Sequence, residues 1–260
     1  MRHSCRRQVL DKAAKVAIVT GGSRGIGAAT ALLAARQGWA VAVNYAQQAG
    51  AAEAVVRQIR EAGGTAIAVQ GDVAVEADVV ALFESVDRQL GRVTALVNNA
   101  GVVAPPARVD EVTAERLRRL FDINVLGSFF CAREAVKRMS TKHGGAGGSI
   151  VNVSSAAARL GSAHQYVDYA ATKGAIDTLT IGLAREVAAE GIRVNAVRPG
   201  VIDTDIHASG GLPDRVRDLA PKIPMGRGGT AEEVAEAIVW LMGDASPFTT
   251  MALVDISGAL

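Results

Sequence analysis

The stretch VAIVTGGSRGIGAATALLAARQG, Val16 to Gly38, decides how the chain is read. A short β-branched run ends in a cluster of glycines, and the glycines open a segment whose apolar residues recur at helical spacing. Gly21, Gly25 and Gly27 therefore lie between a strand and a helix N-terminus. That arrangement aims backbone N–H groups and the positive end of a helix at a bound phosphate. Gly21 permits the tight turn, and the missing side chains at 25 and 27 let a pyrophosphate and the neighbouring strand approach closely. The spacing G-x3-G-x-G differs from the common G-x-G-x-x-G, and no Gly-Lys-Ser/Thr follows as in a P-loop. Such glycines can also be plain turn chemistry, so the rest of the chain has to decide.

Working outward, the pattern repeats. AVAVN (Ala40 to Asn44), AIAVQ (Ala66 to Gln70), ALVNN (Ala95 to Asn99), SIVNVS (Ser149 to Ser154) and IRVNAV (Ile192 to Val197) alternate with helix-like stretches, and ALVDISG (Ala252 to Gly258) adds a seventh run. These runs are nearly continuous in apolar residues, as strands covered on both faces should be. Strand, helix, strand repeated predicts an α/β fold, a Rossmann-like doubly wound parallel sheet of about seven strands flanked by helices on both faces. No linker or composition break interrupts residues 15–260, which read as a single domain. HGGAGGS (His143 to Ser149) precedes a strand rather than a helix and is expected to be a turn, not a phosphate loop.

Composition excludes several classes. The chain has 260 residues, 49% hydrophobic, with 28 basic and 26 acidic residues and a net charge of +2. The basic residues are interspersed except in residues 1–14, where Arg2, Arg6, Arg7 and Lys12 mark a basic extension without the apolar core of a signal peptide. Nucleic acid is not an expected partner, and no apolar run reaches the roughly 18 residues of a membrane span. Cys5 and Cys131, with four scattered histidines, make neither a disulfide framework nor a metal site. The cytoplasm is the expected compartment.

Four motifs occur in order: TGGSRGIG at the first turn, NNAG (Asn98 to Gly101) after the fourth strand, YAATK (Tyr169 to Lys173), and RPG (Arg198 to Gly200) after the sixth. In this the chain resembles the compact branch of the short-chain dehydrogenase/reductase superfamily over about residues 15–258. It is most similar to the sugar-dehydrogenase and 3-oxoacyl-carrier-protein reductase types. The resemblance implies hydride transfer between a nicotinamide cofactor and a carbonyl or alcohol substrate.

QYVDYAATKG contains two tyrosines, and helical geometry separates them. Tyr169 and Lys173 are one turn apart on one face, whereas Tyr166 is two turns from the lysine. A helix is expected from Ala163 to Glu190, with Ile176, Leu179, Leu183 and Val187 as its apolar stripe. An ammonium beside a phenol favours phenolate, so the Tyr169 pKa is expected to fall toward neutrality. The Y-x-x-x-K motif of the family falls on the same pair. Of Ser154 and Ser155, adjacent in a strand and so facing opposite ways, only one can serve the substrate. The resemblance assigns Ser155. It precedes Tyr169 by fourteen residues, one more than in many members, which reads as an insertion in AHQYVD. The resemblance also assigns Asn124, in FDINVLGSFF, to a water-linked proton relay through Lys173.

For the cofactor, the resemblance implies Gly21, Ser23, Arg24, Gly25, Ile26 and Gly27 at the phosphates and Asp72 with Val73 at the adenine. Asn98, Ala100 and Gly101 support the adenosine side. Pro199, Gly200, Ile202 and Thr204 lie toward the nicotinamide carboxamide, while Tyr169 and Lys173 contact the cofactor as well as the substrate. NAD-specific relatives carry an acidic residue at the end of the second strand. That position is read here as Asn44, and Arg24 can reach a 2′-phosphate, so NADP is expected over NAD.

A non-catalytic dinucleotide sensor on the same fold is the alternative, although both tyrosine and lysine are present. The segment Asp205 to Gly229, rich in Gly and Pro, is the expected lid, with His207, Leu212 and Met225 toward the substrate. The apolar stretches Thr113 to Met139 and Tyr166 to Ala189 exceed what one sheet face can cover. With the resemblance, they imply a homotetramer acting on a small-molecule substrate.

Overall fold

The computed structural model describes residues 15–260; the basic extension and Cys5 lie outside the described residues. Strands β1 (Val16–Val19), β2 (Ala40–Tyr45), β3 (Ala66–Gln70), β4 (Ala95–Asn98), β5 (Gly148–Val153), β6 (Ile192–Pro199) and β7 (Leu253–Ile256) form one sheet. Their order is β3-β2-β1-β4-β5-β6-β7, and every pair of neighbours is parallel. Helices α1 (Gly25–Arg36), α2 (Ala49–Glu61), α3 (Glu76–Gln89), α4 (Ala114–Phe121), α5 (Gly127–Met139), α6 (Ala157–Leu160), α7 (Val167–Val187), α8 (Ile206–Ser209), α9 (Arg215–Leu219) and α10 (Ala231–Met242) supply the crossovers, with α8 and α9 in the segment expected to be a lid. The order reverses between β1 and β4, which opens a crevice at the carboxyl ends of the strands, where doubly wound folds bind ligands.

The near-continuous apolar runs are explained by two cores. In β1, Ala17 and Val19 face the layer of α1, α2 and α10, whereas Val16 and Ile18 face α3, α5 and α7. Burying each such side chain completely, as for Ile18 and Phe83, contributes roughly 1.5–3 kcal/mol. The glycine-rich HGGAGGS is a turn, with Gly144 left-handed after a short 3-10 segment, and the Arg92 guanidinium donates to three carbonyls around it. Among the described residues no helix is long and apolar enough to cross a membrane.

Two helices differ from the expectation. The helix expected from Ala163 begins at Val167, because Ser162 and His164 take left-handed backbone angles (φ 48° and 62°) that no right-handed helix admits. The intervening residues form a tight turn in which the Gln165 and Tyr166 N–H groups donate to the Ser162 carbonyl. The long apolar stretch Thr113 to Met139 is continuous from α4 to α5 but widens to a π turn at Asp122–Leu126. Asn124 lies inside that turn, and its side chain closes a two-way pair with the Val102 backbone (2.8 and 3.0 Å). Such bulges recur at functional sites.

Candidate active site

The loop after β1 is built to leave N–H groups free. The residue before α1, Arg24, offers no capping side chain, and no acidic residue occupies the first turn. The first N–H groups of a helix lack internal partners, so this uncapped, uncharged terminus suits an anion. A Cβ on Gly27 would collide with the Gly21 carbonyl and the Asn99 carboxamide, so only glycine lets the helix sit this close to the loop. These features fit a dinucleotide pyrophosphate. Arg24 itself is exposed, and Gly25 backs onto Thr204.

Two expected positions are corrected by hydrogen bonding. The Asn44 side chain is buried and serves the chain itself. Its Oδ1 accepts from the Gly21 N–H (3.3 Å), and its Nδ2 donates to the Gly71 (2.9 Å) and Val69 (3.3 Å) carbonyls. It braces the phosphate loop, and the last residue of β2 is the half-buried Tyr45. In NNAG, Asn98 is buried and bonds Asn152 and the Ser128 carbonyl, on the side of the sheet that holds α5. Asn99 lines the cleft and donates to the Thr20 and Gly21 carbonyls. The alternation of side chains along a strand assigns opposite roles to the two asparagines, and the motif alone did not tell which was which. Asp72 caps its own turn by accepting the Ala74 N–H (3.0 Å), and Val73 is buried against Gly127.

The chemistry-bearing residues converge. A cleft of about 170 Å³ is lined by Ser155, Tyr169 and Lys173 together with Ile26, Gly101, Pro199, Gly200, Ile202 and Thr204. The Ser155 hydroxyl, which accepts from the Ala157 N–H (3.1 Å), lies close enough to the Tyr169 phenol to favour its ionised form. Ser154 points elsewhere: it is buried and donates to the Lys173 carbonyl (3.2 Å). Asn124 stands behind the cleft near Gly101, held by Val102 and by Thr172 (3.1 Å). Of the residues expected under the lid, His207 lines the cleft, its Nε2 on the Ile202 carbonyl (2.9 Å), and burial holds its imidazole below the usual range. Met225 instead lines a neighbouring hollow beside Gly258, and Leu212 is in neither. Arg215, which sequence reasoning missed, enters the cleft from α9.

The electrostatics of the tyrosine differ from the expectation. Burial pushes the Tyr169 phenol up to about 12, against the smaller lowering effects of the nearby Ser155 hydroxyl and the Arg215 charge. The ring as a whole is only half-buried, but its hydroxyl end is the desolvated part. Lys173 lies over the face of the ring, 5.6 Å from its centroid, and its ammonium donates to the Val153 carbonyl (2.7 Å). The lysine is thus one helical turn away, as expected, yet turned to a backbone oxygen rather than to the phenol. Burial pushes Lys173 itself down to about 8, with Asp177 opposing.

A family model described as enoyl-(acyl carrier protein) reductase matches residues 21–258. An uncharacterized oxidoreductase of Escherichia coli, YgfF, is 57% identical over 243 residues, covering 94% of this chain and 98% of that protein. The cis-4-hydroxycyclohexanecarboxylate dehydrogenase of Sinomonas cyclohexanicum is 41% identical over 247 residues, covering 95% and 96%. Among solved structures, a dehydrogenase/reductase from Sinorhizobium meliloti superposes with a TM-score of 0.87 at 34% identity, covering 94% of each chain.

Proposed function

The chain belongs to the short-chain dehydrogenase/reductase superfamily, and from that premise we propose an NADP(H)-dependent oxidoreductase that interconverts a carbonyl and an alcohol, with Tyr169 as proton donor and acceptor. The observation that carries this reading is the Ser155–Tyr169 hydroxyl pair beside Lys173 in one cleft. The cofactor, when bound, supplies the hydride. The chain orients and protonates. Ser155 and Tyr169 together hold the substrate oxygen, and the phenol proton passes to it as the carbonyl becomes an alcohol. Lys173 would offer its ammonium to the ribose of the bound cofactor while lying over the Tyr169 ring, and Asn124 fixes the wall behind both.

The preference for NADPH is supported by Arg24, whose exposed guanidinium stands at the mouth of the phosphate loop without a side-chain partner among the described residues, and by a second strand that ends without a carboxylate. A panel of ketones, aldehydes and alcohols followed at the nicotinamide absorbance, with NADPH and NADH in parallel, tests the whole reading. Turnover is expected with at least one carbonyl class, faster with NADPH, and Arg24→Ala is expected to weaken NADPH by about tenfold while sparing NADH. Tight cofactor binding without turnover of any carbonyl would return the site to dinucleotide sensing.

We also propose a homotetramer. Leu117, Phe121, Leu126 and Phe129 form an exposed apolar face along α4, the π turn and α5, with Val167 of α7 exposed as well. Trp240, Phe248 and Met251 expose a second apolar region near the β7 edge. Two such faces suit two different two-fold contacts. Light scattering at micromolar concentration is expected to return four times the 26.8 kDa chain, and a monomer would overturn the assignment.

A further inference from the structure

Among the described residues, no aspartate or glutamate side chain lines the cleft. Its two cations, Lys173 and Arg215, behave differently. Lys173 is engaged by the Val153 carbonyl at the base. Arg215, on α9, lines the same cleft, and among the described residues no acidic partner holds it. Its one side-chain hydrogen bond is to the neutral Gln165 Oε1 (2.7 Å), and its guanidinium lies over the Tyr166 ring, 5.0 Å from the centroid.

Two neighbouring arginines, by contrast, are held by carboxylates. Arg116 is forked onto Asp168 at 2.6 and 3.3 Å, and Arg198 onto Asp177 at 3.0 and 2.8 Å. Even on α9 the nearby acids are taken, since Asp214 and Asp218 both pair with Arg217. A guanidinium has five N–H donors in a planar fork matched to a carboxylate. In Arg215 that fork is oriented by an aromatic platform and a single amide, which leaves donors for a ligand. Its charge is felt at Tyr166, Tyr169 and His207 alike, as expected of a group that projects into the cleft.

We propose that Arg215 is a specificity-determining residue that binds an anionic group of the substrate, so that the preferred substrates are keto acids and hydroxy acids rather than neutral carbonyls or alcohols. The assignment rests on the oxidoreductase reading of this cleft and adds a second anchor to it. The reacting oxygen is held by Ser155 and Tyr169, and a carboxylate elsewhere on the same molecule is held by Arg215. A bidentate, partly desolvated guanidinium–carboxylate contact is among the stronger polar interactions a site can offer. Tyr166 acquires a role through this geometry: its ring carries the guanidinium and takes no part in proton transfer.

The test compares 4-oxopentanoate, 5-oxohexanoate and 3-oxocyclohexanecarboxylate, each with its methyl ester, in NADPH-dependent reduction. For the acid whose length fits, kcat/KM is expected to exceed that of the ester by about tenfold or more. The acid-to-ester ratio should collapse toward unity in Arg215→Gln and recover in part in Arg215→Lys. Calorimetric binding of the acids to the NADPH complex is read alongside. Esters that match or surpass their acids throughout, or a ratio that survives in Arg215→Gln, would overturn the anion site while leaving the oxidoreductase reading standing. If no compound is reduced, the broader carbonyl and alcohol panel decides the oxidoreductase reading, and binding still decides the anion site. Acids that bind wild type but not Arg215→Gln uphold the anion site, and acids that bind neither or both sink it.

Discussion

Tyr169→Phe is expected to lower turnover by roughly 10²–10⁴-fold, the usual contribution of a positioned acid or base, with cofactor affinity close to that of wild type. The substitution removes one hydroxyl and leaves the ring that packs in the cleft. A phenol pushed up to about 12 is fully protonated at neutral pH, which is the form needed to donate to a carbonyl oxygen. Reduction is therefore the direction for which the resting tyrosine is already protonated. Alcohol oxidation needs the phenolate, so its rate is expected to rise with pH across the neutral and alkaline range. Tyr166→Phe is the control. Its ring is buried under Arg215, three residues from the reacting pair, and the variant should keep most of its activity. Steady-state rates and cofactor titration of the two variants decide. An inactive Tyr166→Phe beside an active Tyr169→Phe would refute the assignment of the proton donor.

Lys173→Ala is expected to damage both catalysis and cofactor affinity, each by tenfold or more, since on the proposed reading one ammonium would serve the ribose side of the cofactor and hold the tyrosine ring. Its pH dependence separates this role from a merely structural one. Lys173 is pushed from 10.5 down to about 8 by burial. Between those two values the unfolded chain binds the proton that the folded chain has lost, so this group makes stability rise with pH over that window. Cofactor affinity should move the other way, falling as pH rises through about 8 and the ammonium is neutralised. Opposite trends in one protein, with the affinity step absent from Lys173→Ala, would mark a charge that binds. Cofactor affinity that is flat from pH 7 to 10 in the wild type would show that the ammonium does not contact the cofactor.

The alternation of β-branched runs with helical periodicity was enough to predict the sheet, because strands buried on both faces must be apolar along their whole length. All seven runs became strands, each within two residues of the expected bounds. The glycine loop was legible for a related reason: a turn that tight admits few residues, so its chemistry is local. The pairing of Tyr169 with Lys173 on one helical face was likewise a matter of spacing along a single element.

What remained hidden depends on groups brought together by the fold. Asn44 and Asn98 face inward to brace the loop and the sheet, and their neighbours Tyr45 and Asn99 are less buried, a choice set by strand register rather than by motif. The π turn at Asn124 answers to Val102, which is 22 residues away. The Tyr169 phenol was expected to fall toward neutrality and rises instead, because desolvation sums over every element that closes the cleft, whereas helical spacing sees only one neighbour. Arg215 reaches Gln165 and the Tyr166 ring across 50 residues of chain. Local periodicity specifies what each segment becomes; which polar atoms meet, and how dry they are when they do, is decided only when the crossovers and the lid bring distant segments into one cleft.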